Sequence, residues 1–398
     1  MLVGIVGKPS CGKSTFFKAV TLADVAIASY PFTTIKPNRG AGHVKIECAD
    51  RFFKVQCSPR EGYCIDGERF VPVELLDVAG LVPGAHEGKG LGNQFLDDLR
   101  QAHVLIHIID ASGSTNENGE AVEPGSHDPS KDVLFLENEL DMWYINILKK
   151  AWEKFARQTY AEKQKVSAAI AKQFSGLNAN EPMVAEIIEK MKLDENPTKW
   201  TEDQLSSFAT ALRKKTKPMI IAANKADTKF GKENYAKLKE KFPGYIIIPT
   251  SAEAELALKE AGKKNLIKYS AGAGDFTILE PDKLSPAQKN ALEFIKQTVV
   301  KEFGSTGVQK ALNAAVLDIL KLMPVFPGGV NKLTDQYGRT LPDCYLMSQN
   351  ATALEFANRI HSDLAAGFIR AIDVKTHMTV GKEHKLKYGD VVEIISSK

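Results

Sequence analysis

The chain has 398 residues, of which 43% are hydrophobic and 25% are charged, and its formal net charge is +3. These values exclude an intrinsically disordered chain, and the absence of any apolar run near the length of a membrane span excludes an integral membrane protein. The small positive charge does not by itself indicate a nucleic-acid partner.

The five cysteines form no C-x-x-C pair, which indicates a reducing compartment and no disulfide framework. Cys48, Cys57 and Cys64 lie close together, but their spacing matches no zinc pattern. We interpret them as ordinary thiols. The chain opens directly into a strand without a leader pattern. We therefore expect a cytoplasmic protein with no membrane association and no DNA partner.

The chain begins with a strand, a glycine-rich loop and a helix. Residues 2–6 are apolar, residues 14–20 predict a helix, and the loop between them fits G-x-x-x-x-G-K-[ST]. Glycines let backbone N–H groups surround phosphate oxygens, and the helix N-terminus adds positive partial charge. Lys13 is expected to reach the β- and γ-phosphates, and Ser14 to bind Mg²⁺. The predicted nucleotide-binding residues of this P-loop are Gly7, Lys8, Pro9, Ser10, Cys11, Gly12, Lys13, Ser14 and Thr15.

A loop with two prolines follows the first helix. In P-loop GTPases this segment carries a threonine that closes onto Mg²⁺ when a γ-phosphate is present. Thr33 and Thr34 are both candidates for that threonine. The alternative interpretation is an ordinary proline-containing loop.

The alternating region from 42 to 76 predicts strands joined by a hairpin and ends in D-x-x-G. Asp77 is expected to hold Mg²⁺ through water, and the Gly80 N–H to contact the γ-phosphate. Leu81 follows, where Ras-like enzymes carry the glutamine that orients the attacking water. We therefore predict slow intrinsic turnover. His86, in the glycine-rich loop beyond, is a candidate catalytic group, although a loop histidine is more often a bystander.

The apolar strand at 218–223 leads into N-K-x-D, which is typical of a guanine-binding loop. The Asp227 carboxylate would accept two N–H bonds from the guanine edge, which adenine cannot offer. Asn224 is expected to tie this loop to the P-loop, and Lys225 to lie along the base.

The next strand, at 245–249, ends in a loop that contains Ser251 and Ala252. The Ala252 N–H is expected to meet the guanine oxygen. All these elements occur in the order of a GTPase, each in a loop or at the end of a predicted strand. The sequence therefore predicts an α/β fold of the P-loop NTPase class, a Ras-like G domain.

Two longer runs are more specific than the P-loop: Tyr30 to Thr34 with Pro37 and Asn38, and Asp77 to Gly92. They resemble the Obg family of translation-associated GTPases, in particular its archaeal YchF-like branch. The family pattern favours Thr34 over Thr33 as the threonine that senses Mg²⁺. The family also lacks the catalytic glutamine, which agrees with Leu81.

The resemblance implies hydrolysis of GTP to GDP with Mg²⁺ by a switch that acts on the ribosome or another RNA assembly. The family usually has Asn at the position of Ser10, an asparagine that holds a potassium ion in some relatives, so potassium dependence is left open. Several YchF relatives replace the guanine motif by a sequence ending in Glu and prefer ATP, whereas the intact motif at 224–227 favours GTP. The alternatives are an ATP-hydrolysing YchF-type regulator and a nucleotide-gated binding protein with incidental turnover.

A helical insertion is expected to divide the G domain. After an exposed polar loop at 112–129, apolar residues at three- and four-residue steps predict one long helix from 133 to 155, continuing to about 174. Shorter helices are predicted at 181–191 and, from a capping box at Thr201, to about residue 214.

Two parts of the insertion are rich in basic residues. Residues 149–172 contain seven Lys or Arg against two Glu, and residues 213–217 contain four basic residues. Such a face fits RNA phosphates, but an ordinary solvated helix face is the alternative.

Beyond the G domain we predict helices at 286–301 and 308–322, a boundary at Pro324, and then short strands from residue 331 around a helix capped at Thr352. This pattern favours a β-grasp module. Residues 359–372 and 389–393 resemble a TGS domain, which usually binds RNA or a protein partner. His361 and Asp363 are interpreted as structural.

The predicted domains follow from these boundaries. The G domain takes residues 1–128 and 216–275, the helical insertion 129–215, a helical connecting segment 276–325, and the TGS domain 326–398.

Overall fold

The computed structural model describes residues 1–22, 38–78, 80 and 92–397. Thr33, Thr34, Leu81 and His86, to which roles are assigned above, lie outside these ranges. Their roles therefore stay predictions.

Strands and helices alternate through the first part of the chain. The elements before the insertion are β1 (Leu2–Val6), α1 (Lys13–Thr21), β2 (Arg39–Glu47), α2 (Asp50–Phe53), β3 (Tyr63–Ile65), β4 (Glu68–Asp77), α3 (Gly92–Gln101) and β5 (Val104–Asp110). The insertion contains α4 (Ser130–Lys149), α5 (Trp152–Ala161), α6 (Val166–Gln173), α7 (Glu181–Met191) and α8 (Glu202–Thr216), with short 3-10 turns at Ser175–Leu177 and Pro197–Lys199. After it come β6 (Met219–Asn224), α9 (Lys229–Lys241), β7 (Ile247–Thr250), α10 (Ala252–Lys263), β8 (Ile267–Lys268) and β9 (Thr277–Ile278).

In the described part of the chain, seven strands form the main sheet, in the order β2-β4-β1-β5-β6-β7 with β3 beside β4. Neighbours from β4 to β7 are parallel, whereas β2 and β3 run antiparallel to β4. Every residue of β1, β5 and β6 is buried, as is usual for parallel strands covered on both faces. Parallel strands end at one edge, so the loops after β1, β4, β5, β6 and β7 meet there.

The insertion does not begin with the one long helix that the apolar stripe predicts. The chain breaks at Ala151, whose φ of 61° is left-handed, and α4, α5 and α6 form separate helices. The break lets Trp152 pack on Trp200, with ring centroids 5.4 Å apart, and Trp200 in turn contacts Phe208 at 5.3 Å. Burial of this aromatic group favours the bent path over a continuous helix.

The basic residues of the insertion are in part internal or paired. Within residues 149–172, three basic side chains form ion pairs with glutamates. The pairs are Lys149 with Glu202, Arg157 with Glu153, and Lys165 with Glu181. In the second stretch Arg213 is 1% exposed and binds Asp141 at 2.7 Å. Lys217 is fully buried and donates to the carbonyl oxygens of Arg100 and Ala102, at 2.9 and 2.6 Å. Arg213 and Lys217 are bonded inside the protein and cannot contact RNA phosphates.

Burial lowers the pKa of Lys217 to about 7, whereas an unfolded lysine has a pKa of about 10.4. Between these values the unfolded chain binds more protons than the folded one, so this residue makes the folded state more stable as the pH rises. We expect its contribution to grow by roughly 2 kcal/mol from pH about 7 to about 9. Urea unfolding at both pH values should show this rise in wild type and in the exposed control Lys214→Met, but not in Lys217→Met. An unchanged pH dependence in Lys217→Met would refute the assignment.

The rest of the chain contains helical segments and a second sheet. A 3-10 turn at Pro281–Lys283 precedes α11 (Pro286–Phe294), a π-helical segment (Ile295–Val300), α12 (Lys301–Phe303), α13 (Val308–Asn313) and a second π-helical segment (Ala314–Ile319). The last elements are β10 (Leu322–Pro327), β11 (Tyr345–Ser348), α14 (Ala353–Ile360), α15 (Ser362–Ala366), β12 (Phe368–Asp373), β13 (Met378–Val380) and β14 (Val391–Ser396). Over the described residues this second sheet has five strands, in the order β11-β10-β14-β12-β13.

The boundary between the two sheets differs from the predicted one. Residues 308–319 contribute buried side chains to the core of the main sheet, among them Leu312 and Val316, so this half of the predicted connecting segment is packed against the G domain. The predicted division at 325/326 falls inside β10. Prolines usually interrupt strands, which is why Pro324 predicts a boundary in the sequence. The predicted strand at 331–334 is reduced to one bridge between Thr334 and Thr340.

No helix of the described residues is both long enough and apolar enough to cross a bilayer.

Candidate functional site

The P-loop connects β1 to α1 in a conformation that depends on its glycines. Ser10 and Gly12 have left-handed φ values of 63° and 94°. A Cβ on Gly12 would lie 2.2 Å from Asn224 Nδ2, and one on Gly7 would lie 2.5 Å from the Ile108 carbonyl oxygen. Cys11 is fully buried, and burial raises the pKa of its thiol to about 11. Close approach of three chain segments therefore fixes the shape of this loop.

Helix α1 begins at Lys13 and presents its N-terminus to the loop. No side chain caps this end, and its first turn contains no acidic residue, so the first N–H groups are available to an anion. Ser14 is exposed and Thr15 is half-buried in the same turn. The geometry is that of a phosphate-binding site.

Asp77 and Lys13 form an ion pair beside this helix end. Asp77 ends β4 and lies in register with Ile5 of β1, and its Oδ1 contacts Lys13 Nζ. The hydroxyl of Ser14 and the carboxylate of Asp77 are oxygen donors of the kind that Mg²⁺ prefers. These residues therefore fit the predicted metal site. Gly80 lies against the P-loop, since a Cβ there would be 3.5 Å from Pro9 Cγ.

Asn224 joins three of the loops at this edge. Its Nδ2 donates to the Cys11 carbonyl oxygen, and its Oδ1 accepts the Ala252 N–H, both at 3.0 Å. The side chain is 3% exposed, so both bonds are shielded from water. The contact with the P-loop is the one that the motif predicts.

The N–H of Ala252, however, is not free for guanine, because Asn224 Oδ1 already accepts it. A guanine oxygen at this position would have to share that N–H or use the next donors in the first turn of α10. The neighbouring Ser251 is buried, and its N–H donates to the Thr306 carbonyl oxygen at 2.9 Å. The predicted base contact at Ala252 therefore requires a local rearrangement or a shared hydrogen bond.

Lys225 is positioned by a buried carboxylate that the motif does not include. Its Nζ lies 2.9 Å from Asp110 Oδ2, and Asp110 also accepts hydrogen bonds from Ser112, Ser114 and Thr115. Burial acts to raise the pKa of Asp110, but the bonds from Ser112 and Lys225 hold it below its usual value. Lys225 is thus held towards the P-loop as a charged pair.

Asp227 is half-buried, and its carboxylate forms no hydrogen bond or ion pair with any other described residue. It is the group expected to accept the N–H bonds of guanine. A carboxylate without a protein partner at this position is suited to accept a ligand donor.

The side chain of Lys8 is held inside the protein, so its predicted nucleotide contact, which stays a prediction, can involve only the backbone. It is 3% exposed, its Nζ forms an ion pair with Asp132 at 2.8 Å, and it donates to the Thr115 carbonyl oxygen at 2.7 Å. Asp132 also contacts His127 Nε2 at 2.8 Å. Lys8 can therefore offer phosphate only its backbone N–H.

The polar segment at 112–129, predicted to be exposed, packs partly against the P-loop. A Cβ on Gly119 would lie 2.6 Å from the Pro9 carbonyl oxygen, and Ser112, Thr115 and His127 are buried. Glu117, Asn118 and Glu120 are exposed, as predicted for the segment. Ser112, Ser114 and Thr115 donate to Asp110, and the Thr115 carbonyl oxygen accepts from Lys8. Of these residues, Asp110 is the one that the sequence could have identified as part of the site. It is a carboxylate at the end of a buried parallel strand, where the loops of the site meet.

Three family models match the chain. One described as "Obg-like GTPase YGR210-like, G4 motif-containing domain" matches residues 222–329. One described as "50S ribosome-binding GTPase" matches residues 2–139, and one for the TGS domain matches residues 337–396.

A GTP-binding protein of Methanocaldococcus jannaschii is 47% identical over 397 residues, which cover 100% of this chain and 99% of that protein. The chain belongs to the Obg-like GTPase family. The crystal structure of a GTP-binding protein from Pyrococcus horikoshii OT3 matches this GTPase with a TM-score of 0.80 and 38% identity, over 100% of both chains. The protein named "Ribosome-binding ATPase YchF" of Buchnera aphidicola is 27% identical over 411 residues, which cover 98% of each chain. The predicted family, the P-loop G domain and the TGS domain are thereby confirmed.

Proposed function

We propose that this GTPase hydrolyses GTP to GDP and phosphate with Mg²⁺ and acts as a nucleotide-dependent switch on the ribosome. The observation that carries the proposal is the buried Asn224 bridge, because it holds the P-loop, the N-K-x-D loop and the Ala252 loop at one edge of the sheet. A site that binds a base and three phosphates at once requires the phosphate-binding loop and the base-binding loops to lie side by side.

The base would be recognised by Asp227 and Lys225. Asp227 would accept two N–H bonds from guanine, and Lys225, held by Asp110 at 2.9 Å, would lie along the ring. An adenine base offers no such pair of donors, so its binding would leave the Asp227 carboxylate unpaired.

The phosphates would lie on the N–H groups of the P-loop and the N-terminus of α1. Lys13 would move from Asp77 to the β- and γ-phosphate oxygens as the triphosphate arrives, since these carry more negative charge than one carboxylate. Asp77 would then be free, with Ser14 and Thr34, to hold the metal. Bound Mg²⁺ supplies charge neutralisation at the β- and γ-phosphate oxygens.

Hydrolysis would proceed by attack of water on the γ-phosphate, without a covalent intermediate. Lys13 and the Gly80 N–H would stabilise the charge on the transferred group. Leu81 cannot orient the water, so the missing group must come from elsewhere, and His86 is the candidate in this chain. A slow intrinsic rate that a partner accelerates is the result we expect.

The partner that we propose is the ribosome, which would place the protein in the cytoplasm. The family model for residues 2–139 is described as ribosome-binding, and the YchF relatives carry the same term in their names. Residues 337–396 match the TGS domain, a module that usually binds RNA or a protein.

The test is single-turnover GTP hydrolysis with and without purified ribosomes. We expect ribosomes to accelerate the reaction about tenfold or more. The Lys13→Met variant, mixed with the same ribosomes, measures any hydrolysis that belongs to the ribosome preparation. No acceleration, together with cosedimentation that depends on GTP, would instead favour a nucleotide-gated binding protein with incidental turnover.

A second candidate function is ATP hydrolysis, because relatives of 27% identity are named ATPases. The intact Asn224, Lys225 and Asp227 favour GTP over that alternative. Binding measurements with both nucleotides, described in the Discussion, separate the two.

A further inference from the structure

A group of cysteines lies far from the nucleotide site, between β2 and β4. Cys48 follows β2, Asp50 is the first residue of α2, Cys57 lies in the loop after α2, and Cys64 is in β3. The spacing along the chain suggested ordinary thiols, but the fold brings one ligand atom of each residue within 4.8 Å of all the others. The hairpin of β3 and β4 is what closes this distance.

The distances within the group match those of a tetrahedral zinc site. Cys48 Sγ and Cys57 Sγ are 3.5 Å apart, and Cys64 Sγ lies 3.5 Å from Asp50 Oδ2. Zinc binds sulfur at about 2.3 Å and carboxylate oxygen at about 2.0 Å. Tetrahedral angles then place two sulfurs about 3.8 Å apart, and a sulfur and an oxygen about 3.5 Å apart.

Burial and charge provide a second, independent indication. Asp50 is 2% exposed, and its Oδ1 has no hydrogen-bond partner among the described residues. Arg69 is 1% exposed, and its Nη1 lies 3.6 Å from Cys57 Sγ. No carboxylate of the described residues forms an ion pair with this guanidinium. A buried cation without an anion is costly, and metal-bound thiolates beside it would supply the missing negative charge.

We infer that Cys48, Asp50, Cys57 and Cys64 bind one structural zinc ion. Each of the three thiols releases its proton to solvent as its Zn–S bond forms. Three thiolates, one carboxylate and Zn²⁺ carry a net charge of −2, which Arg69 reduces to −1. Four protein ligands leave no open position, which is typical of a structural site.

The site would connect the G domain to the C-terminal part of the chain. Arg69 donates to the carbonyl oxygens of Leu341 and Pro342, at 3.0 and 2.7 Å. The N–H of Ser58, within the loop that carries Cys57, donates to the Thr340 carbonyl oxygen at 2.8 Å. Zinc would therefore fix both the loop and the arginine that hold the segment at 340–342.

The first test is the zinc content of the full chain, expressed in medium supplemented with zinc and purified in the presence of reductant. We expect about one zinc per chain, and loss of the metal in Cys57→Ser and in Cys64→Ser. Cys344→Ser is the matched control, since Cys344 is a half-buried cysteine outside the four ligands. Equal loss of zinc from the Cys344→Ser control would overturn the assignment of ligands.

A second test uses the wild-type chain alone and so does not depend on the folding of variants. After removal of metal under reducing conditions, Co²⁺ should bind with one equivalent and give the absorption bands of tetrahedral thiolate coordination. Protons should be released as Co²⁺ binds to the thiols, and zinc should then displace Co²⁺ without further proton release. Lack of uptake of either metal, or recovery of a Cys48–Cys57 disulfide from protein purified with reductant, would refute the inference.

Discussion

Replacing Asp227 by asparagine is expected to weaken binding of GTP and GDP by about 10²- to 10³-fold. The carboxylate would accept two charge-assisted N–H bonds from guanine, and the amide of the variant cannot accept both. The measurement is equilibrium binding of Mg²⁺-GTP, GDP and ATP to wild type and to Asp227→Asn. Wild type should prefer the guanine nucleotides, and the variant should lose that preference.

Two controls make this experiment specific. Asp282→Asn changes an exposed aspartate outside the site and should leave all three affinities unchanged. Xanthine carries a carbonyl where guanine carries its amino group, so the amide of Asp227→Asn can donate to it, and the variant should gain affinity for xanthosine triphosphate. If wild type binds ATP as tightly as GTP, the base-recognition proposal fails, and the chain belongs with the ATP-using relatives.

Replacing Lys13 by methionine is expected to reduce the rate of GTP hydrolysis by about 10²- to 10³-fold. The ammonium group would stabilise charge on the β- and γ-phosphate oxygens, and methionine keeps the length of the side chain without that charge. Asp77, which contacts Lys13, would also lose its partner. Single-turnover hydrolysis at saturating GTP measures the chemical step.

Lys18→Met is the matched control for Lys13→Met. Lys18 lies on the same helix, but its side chain is 63% exposed and pairs with Glu260 on the surface, so its loss should not change the rate. Thermal unfolding of both variants shows whether the fold is retained. A folded Lys13→Met protein with a rate near that of wild type would contradict the assigned role.

The sequence predicts the family and the G-domain fold because their signals are local. A P-loop between a strand and a helix, and motifs at the ends of apolar strands, can be recognised within a few residues. Helix caps are also predicted by a few neighbouring residues, and the predicted capping box at Thr201 and the predicted cap at Thr352 both form. The roles of Thr34 and His86 remain predictions, because these residues lie outside the described ranges.

What the sequence does not predict depends on contacts between distant residues. Lys8 pairs with Asp132 and Asp110 with Lys225, and in both pairs more than a hundred residues separate the partners. The break at Ala151 likewise follows from the packing of Trp152 on Trp200. The group of Cys48, Cys57 and Cys64 could not be recognised as a metal site from sequence spacing. The β3–β4 hairpin brings these residues together, and no known zinc-binding spacing does.

The buried thiol of Cys11 has a consequence for redox chemistry at the nucleotide site. Oxidants and alkylating reagents attack thiolates that solvent can reach. Cys11 is fully buried, and its pKa is raised to about 11, so it meets neither condition. We therefore expect the phosphate loop of this GTPase to resist thiol oxidation, although it contains a cysteine at its centre. A thiol reagent that abolishes nucleotide binding must act at another cysteine or by unfolding the chain.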